Sequence, residues 1–186
     1  MDYVSQIGQD RLVVELLQGK RNGTFVDVGC RNPVTINNTF YLEKELGWRG
    51  VAIDKKKFSD GEKTWESERP ATTLIIADAL ELDYKKVFKE SGLPTTIDFL
   101  SMDLSPADVT LKCLYKIPFD EYRFRVVTYE TDAYRLDEGI GGERRQQESR
   151  EYFASLGYTL HTSLGVKNTG WAQDDIYVLD VEQAGN

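Results

Sequence analysis

The sequence has one histidine, two cysteines and no long apolar run. A lone His161 and the widely separated Cys30 and Cys113 make no His/Cys ligand cluster, so nothing in the sequence supports a zinc site. The same two cysteines supply no disulfide framework, which suits a reducing compartment. No stretch approaches the ~20 apolar residues of a membrane span, and Met1-Asp2-Tyr3 does not begin a charged-then-apolar signal. Positive charge is also scarce: 23 Lys and Arg face 31 Asp and Glu, a net charge of −8. Such a balance disfavours an unaided grip on nucleic acid and mainly promotes solubility. The expectation is a cytoplasmic protein without nucleic-acid or membrane partners.

Two phosphate-binding patterns are missing as well. A dinucleotide fingerprint needs three glycines to seat a pyrophosphate on a helix N-terminus, yet Gly29 is followed by Cys30, Arg31, Asn32 and Pro33. No Gly-Lys-Ser/Thr occurs, which removes the P-loop.

What is present is a strand, helix, strand unit between Gly23 and Asp54. Phe25, Val26 and Val28 form an apolar run ending at Gly29, Leu42 and Leu46 lie four apart on one helical face, and Val51-Ala52-Ile53 ends at Asp54. Gly29 allows close backbone approach of a ligand at the carboxyl edge of the first strand. Asp54 places at the same edge of the second a carboxylate able to accept hydrogen bonds from both hydroxyls of a ribose. Without a pyrophosphate cradle, a nucleoside cofactor lacking phosphates, S-adenosylmethionine, fits this unit. An ordinary Rossmann-like unit, with a glycine that only makes a tight turn, also fits.

Further strands are expected over residues 72–77, 97–104, 124–130, 158–161 and 175–179. Helices are expected over 10–18, 82–91, about 107–116 and 144–156. Lys55, Lys56 and Lys57 read as a solvated loop face, Gly139 to Gly142 as a mobile flap and residues 182–186 as a loose tail. The length suits one domain, opened by an N-terminal helical segment over 1–22 that covers the cofactor edge of the sheet.

Several blocks carry a resemblance. Ser5-Gln6-Ile7-Gly8-Gln9-Asp10, Phe25-Val26-Asp27-Val28-Gly29, Asn38-Thr39-Phe40-Tyr41-Leu42-Glu43 and Gly47-Trp48-Arg49-Gly50 together resemble the FkbM family of S-adenosylmethionine-dependent methyltransferases. So does Glu130-Thr131-Asp132-Ala133-Tyr134-Arg135. The resemblance implies an α/β, Rossmann-like class I methyltransferase fold: a mostly parallel seven-stranded sheet, helices on both faces and an antiparallel last strand. It implies O-methylation of a hydroxyl on a small-molecule or glycan acceptor, and Gln6, Asp27, Gly29, Asp54 and Asp78 at the cofactor, with Asp78 facing the adenine amino group. A helix cap is the other reading of Asp78. One departure stands out: Asp103 matches the family pattern, but Ser105 and Pro106 occupy the places of a Glu-Gly pair.

Methyl transfer from a sulfonium needs an aligned nucleophile and, for a hydroxyl acceptor, removal of a proton. Asp103 and Glu130, at strand ends, are the candidate base and orienter. With Asp132 they also form a set of hard oxygen ligands suited to magnesium or calcium; acids at strand ends alternatively cap helices or pair with arginines. Arg144, Arg145 and Arg150 form either an anion clamp or a solvated helix face.

Overall fold

A computed structural model describes residues 2–131, 133, 141–165 and 172–180. Thirteen elements follow in chain order: α1 (Gln9–Leu16), β1 (Thr24–Val28), α2 (Phe40–Leu46), β2 (Arg49–Asp54), α3 (Trp65–Glu68), β3 (Thr72–Ile76), α4 (Tyr84–Glu90), β4 (Thr96–Met102), α5 (Ala107–Leu114), β5 (Arg123–Glu130), α6 (Gly142–Ser155), β6 (Tyr158–Gly165) and β7 (Ala172–Leu179). The strands form one sheet in the order β3-β2-β1-β4-β5-β7-β6. β1 to β5 are mutually parallel, and β7 runs antiparallel to both β5 and β6. This is the class I methyltransferase arrangement expected from the sequence.

Alternation along the strands divides the core between the two faces of the sheet. Val26, Val28, Val51, Ile53, Leu100, Met102 and Tyr129 pack with Tyr84 and Phe88 of α4, Leu111 and Leu114 of α5 and Phe153 of α6. Phe25, Phe99, Val126 and Ile176 pack with Val13 of α1 and Leu42 and Leu46 of α2. Burial at ~25 cal/mol per Å² of apolar surface is the main drive holding these layers together.

Several features differ from expectation for identifiable reasons. α1 packs on a sheet face through Val13 rather than covering the cofactor edge; the turn before it reaches that edge. α3 lies within a polar stretch because Thr64 and Ser67 form a reciprocal cap around a single turn. α4 starts at Tyr84, since Asp83 accepts the Lys86 amide and caps it there. Gly142 is no part of a flap: it opens α6, buried so tightly that a Cβ would lie 2.1 Å from the Ala133 carbonyl oxygen. Gly139, Asp132, Trp171 and the 182–186 tail lie outside the described residues.

Among the described residues no helix is long and apolar enough to cross a membrane.

Candidate functional site

The carboxyl ends of the parallel strands are held level by hydrogen bonds that continue the ladder one step past each strand. Gly29 N–H donates to the Ile53 carbonyl (2.9 Å), Ala77 N–H to that of Asp54 (2.9 Å) and Asp103 N–H to that of Val28 (2.9 Å). β1 lies between β2 and β4, the point where the strand order reverses, and a crevice forms there in open α/β sheets. In this chain it is a cavity of about 510 Å³, within the range of small-molecule sites.

Gln6, Gly29, Asp54, Asp78, Asp103 and Glu130 all line it. Gln6 is brought there by a buried anchor. Asp10, with no exposed surface, accepts the amides of Val4 (2.8 Å) and Ser5 (3.1 Å), while Gln9 donates to Asp174 on β7 (2.9 Å). The Ser5 to Asp10 block thus folds the N-terminal segment over the strand ends.

Gly29 has φ +92°, and a Cβ there would lie 1.7 Å from the Asp103 carbonyl oxygen. Its close neighbour is therefore the end of β4. In the direction a side chain would take, Gly29 meets backbone, while its own backbone lines the cavity.

Asp54 accepts one amide on each oxygen, from Arg31 (3.0 Å) and from Lys56 (3.1 Å). A carboxylate offers about four acceptor positions, so two remain for a ribose diol. Asp78 accepts the Leu80 amide (3.0 Å) and pairs with Lys55 (2.9 Å); these two partners, Lys55 foremost, hold its carboxyl below the usual range. The amide it accepts belongs to a turn and not to a helix, since α4 is capped by Asp83, and the same side chain lines the cavity.

Asp27 does not line the cavity. It is buried in β1, where Thr39 Oγ1 donates to it (3.0 Å). Burial pushes its pKa up to about 6, against the pull of Arg69 and of hydrogen bonds from Thr39 and Ser101. A group with a raised folded-state pKa contributes stability that is complete below the unfolded value, 3.8, and is lost as pH rises through about 6. In Asp27→Asn this loss disappears. The stability of the variant relative to the parent should rise by roughly 2 kcal/mol between pH 4 and 7, at about 1.36 kcal/mol per pKa unit. Urea titrations at both pH values measure it, and a pH-independent difference would contradict the assignment.

Arg69, which no sequence pattern marks, organises the loop between β1 and α2. Its guanidinium is fully buried and donates to Glu43 (2.7 Å), Thr39 (2.8 Å), Asn37 (3.0 Å) and the Pro33 carbonyl (3.2 Å), over the Trp65 ring at 5.0 Å. Asn37 in turn donates to the carbonyls of Cys30 (3.1 Å) and Asn32 (2.8 Å). Asn37, Thr39 and Glu43 fall in or beside the Asn38 to Glu43 block, whose polar members build this support.

Other sequence candidates lie apart from the cavity. Arg144 pairs with Glu148, the buried Arg145 lies 3.4 Å from Asp108, and Arg150 forms a two-pronged pair with Asp175 (2.7 and 2.9 Å). His161 is exposed on β6. Burial raises both thiols, Cys30 well above its ordinary value and Cys113 to about 11, which suits structural cysteines rather than nucleophiles. Among the described residues no group of three or more His, Cys, Asp or Glu could hold a metal ion. Asp132, the third member of the expected set, lies outside them.

Residues not expected from the sequence complete the lining: Arg31, Lys55, Lys56, Phe58, Ala79, Leu104, Ser105 and Val109. Lys55 and Lys56 are thus cavity-wall residues as well as exposed ones. Ser105, exposed, stands where the resemblance places a glutamate.

No family model matches the chain, so the resemblance to FkbM proteins has no support at that level. No curated protein matches it in sequence. Solved structures do match in fold. A Clostridium thermocellum protein provisionally assigned as an rRNA methylase is 13% identical, with 95% of this chain and 97% of that one aligned at a TM-score of 0.54. A Lactococcus lactis protein provisionally assigned as a hemolysin is 13% identical over 96% and 89%, with a TM-score of 0.58. The fibrillarin pre-rRNA processing protein of Methanococcus jannaschii is 10% identical over 86% and 67%, with a TM-score of 0.52. At these identities the likeness establishes the fold, one that it shares with S-adenosylmethionine-dependent methyltransferases.

Proposed function

We propose that this chain is an S-adenosylmethionine-dependent methyltransferase of the FkbM type that methylates a hydroxyl of a sugar or small metabolite. One observation carries the reading: residues from five neighbouring strand ends, Asp78, Asp54, Gly29, Asp103 and Glu130, line a single cavity at the point where the strand order reverses. In this reading Asp54 takes the ribose hydroxyls with its two remaining acceptor positions, and Asp78 lies on the adenine side. Gln6 closes the cavity from the N-terminal turn, and Asp27 supports the floor from within β1. Asp103 and Glu130 stand on the reacting side as base and orienter. Bound cofactor would supply the electrophilic methyl group; the chain would align the acceptor and remove its proton.

Calorimetry with S-adenosylmethionine tests the pocket, with NAD as the comparison. Asp54→Ala should weaken S-adenosylmethionine binding by about 1–3 kcal/mol, as charge-assisted hydrogen bonds are lost. Undiminished affinity would remove Asp54 from the cofactor, and binding of NAD alone would overturn the reading.

Ser105 favours a second reading, a domain that holds the cofactor without turnover. A serine at the cavity wall keeps a hydrogen-bonding group but not the charge that a glutamate would bring. Tight cofactor binding with no methyl transfer to any hydroxyl acceptor, and transfer gained in Ser105→Glu, would select it.

A further inference from the structure

The charges around the cavity are sorted by strand. On the β4 and β5 side they are the acids Asp103 and Glu130 alone; all three cations, Arg31, Lys55 and Lys56, follow β1 and β2, on the side that also carries Asp54 and, from the end of β3, Asp78. S-adenosylmethionine carries an ammonium and a sulfonium, which suit the acidic side, and one carboxylate, which the acidic side would repel. That carboxylate needs a cation within reach of the central strand.

The three cations differ in availability. Lys55 is engaged by Asp78 at 2.9 Å. Lys56 belongs to the loop after β2, on the nucleoside side. Arg31 lies two residues past Gly29, on the loop of the central strand, and makes no ion pair among the described residues.

Its backbone is also unusual. Arg31 has φ +44°, a left-handed conformation rare for a residue with a side chain. Both of its backbone polar groups are used: the amide donates to Asp54 (3.0 Å), and the carbonyl accepts from Trp65 Nε1 (3.3 Å). The root of the side chain is thereby fixed to the same carboxylate that the proposed function assigns to the ribose. A guanidinium matches a carboxylate with two parallel N–H donors.

We propose that Arg31 binds the α-carboxylate of the cofactor's methionine end. The inference rests on the methyltransferase reading and assigns a ligand group that neither the fold nor the sequence blocks specify. It makes Arg31 a determinant of selectivity for the intact amino-acid end.

The test is calorimetry with two ligands, S-adenosylmethionine and its decarboxylated form, which lacks only the carboxylate. The parent protein should prefer the intact cofactor. Arg31→Ala should weaken the intact cofactor about tenfold or more, a factor worth ~1.4 kcal/mol, and change the decarboxylated ligand less than about twofold, as for a contact with the absent group. Arg31→Gly, which tolerates positive φ, should behave like Arg31→Ala and so exclude a backbone effect. Lys57→Ala removes a charge from a nearby residue that pairs with Glu66 and does not line the cavity, and it should change neither affinity. Equal losses for both ligands in Arg31→Ala, or no loss for either, would overturn the assignment while leaving the cofactor reading intact. Absence of binding by the parent protein would overturn both.

Discussion

Gly29→Ala should destabilise the protein by about 3 kcal/mol or more, the sum of two independent penalties. A residue with a side chain at φ +92° takes on about 1–2 kcal/mol of backbone strain. The new methyl would also lie 1.7 Å from the Asp103 carbonyl oxygen, a backbone atom that moves only if β4 shifts away from β1. Overpacking of this kind costs about 1–3 kcal/mol. Gly61 separates the two effects, having φ +60° with nothing within 4 Å of the place a methyl would take. Gly61→Ala should therefore show the backbone penalty alone. Urea denaturation of both variants measures the difference, and equal midpoints would mean that the contact between the ends of β1 and β4 is absent in solution. Because that contact forms the cavity floor between Gly29 and Asp103, Gly29→Ala should also weaken any ligand seated across it.

The strand ends were legible in the sequence because an apolar run terminating in Gly, Asp or Glu is a local pattern. Gly29, Asp54, Asp78, Asp103 and Glu130 all reach the cavity, as read from such endings. What touches Gly29 was not legible, since positive φ is written in the residue while its spatial neighbour is 74 positions away. Lys55 and Lys56 read as solvent-facing because a lysine run ordinarily faces water. They border the cavity because Asp54 folds its own following loop back through the Lys56 amide. β6 runs on to Gly165, past the expected end at His161, through residues that are largely exposed on an edge strand. Without a buried face there is no alternation in the sequence to mark it.

Arg69 was hidden for a related reason: it falls in the polar 58–70 stretch, and its partners Pro33, Asn37, Thr39 and Glu43 precede it by 26 to 36 residues. Nothing local marks an arginine whose side chain is 0% exposed. Its removal should nevertheless rank with the most damaging single changes in the chain. Arg69→Met fills much of the same volume among Phe25, Phe40 and Trp65, whose rings surround the guanidinium at 5.0–5.9 Å. It leaves the Glu43 carboxylate buried, with only the Thr72 hydroxyl and the Ala71 amide (2.9 Å) as described donors. Breaking a buried pair from one side costs about 3–5 kcal/mol, because the remaining charge has no compensation. If that charge is the cause, Arg69→Met combined with Glu43→Gln should recover most of the loss, since the amide oxygen of glutamine still accepts from Ala71. A double-mutant cycle in urea measures the coupling. A single-variant cost below about 1 kcal/mol, or a double variant no better than Arg69→Met, would show that the loop between β1 and α2 does not depend on this pair. The cycle also bears on the cavity. The loop Arg69 holds in place carries Arg31, so loss of the guanidinium should loosen the residue to which the carboxylate contact is assigned.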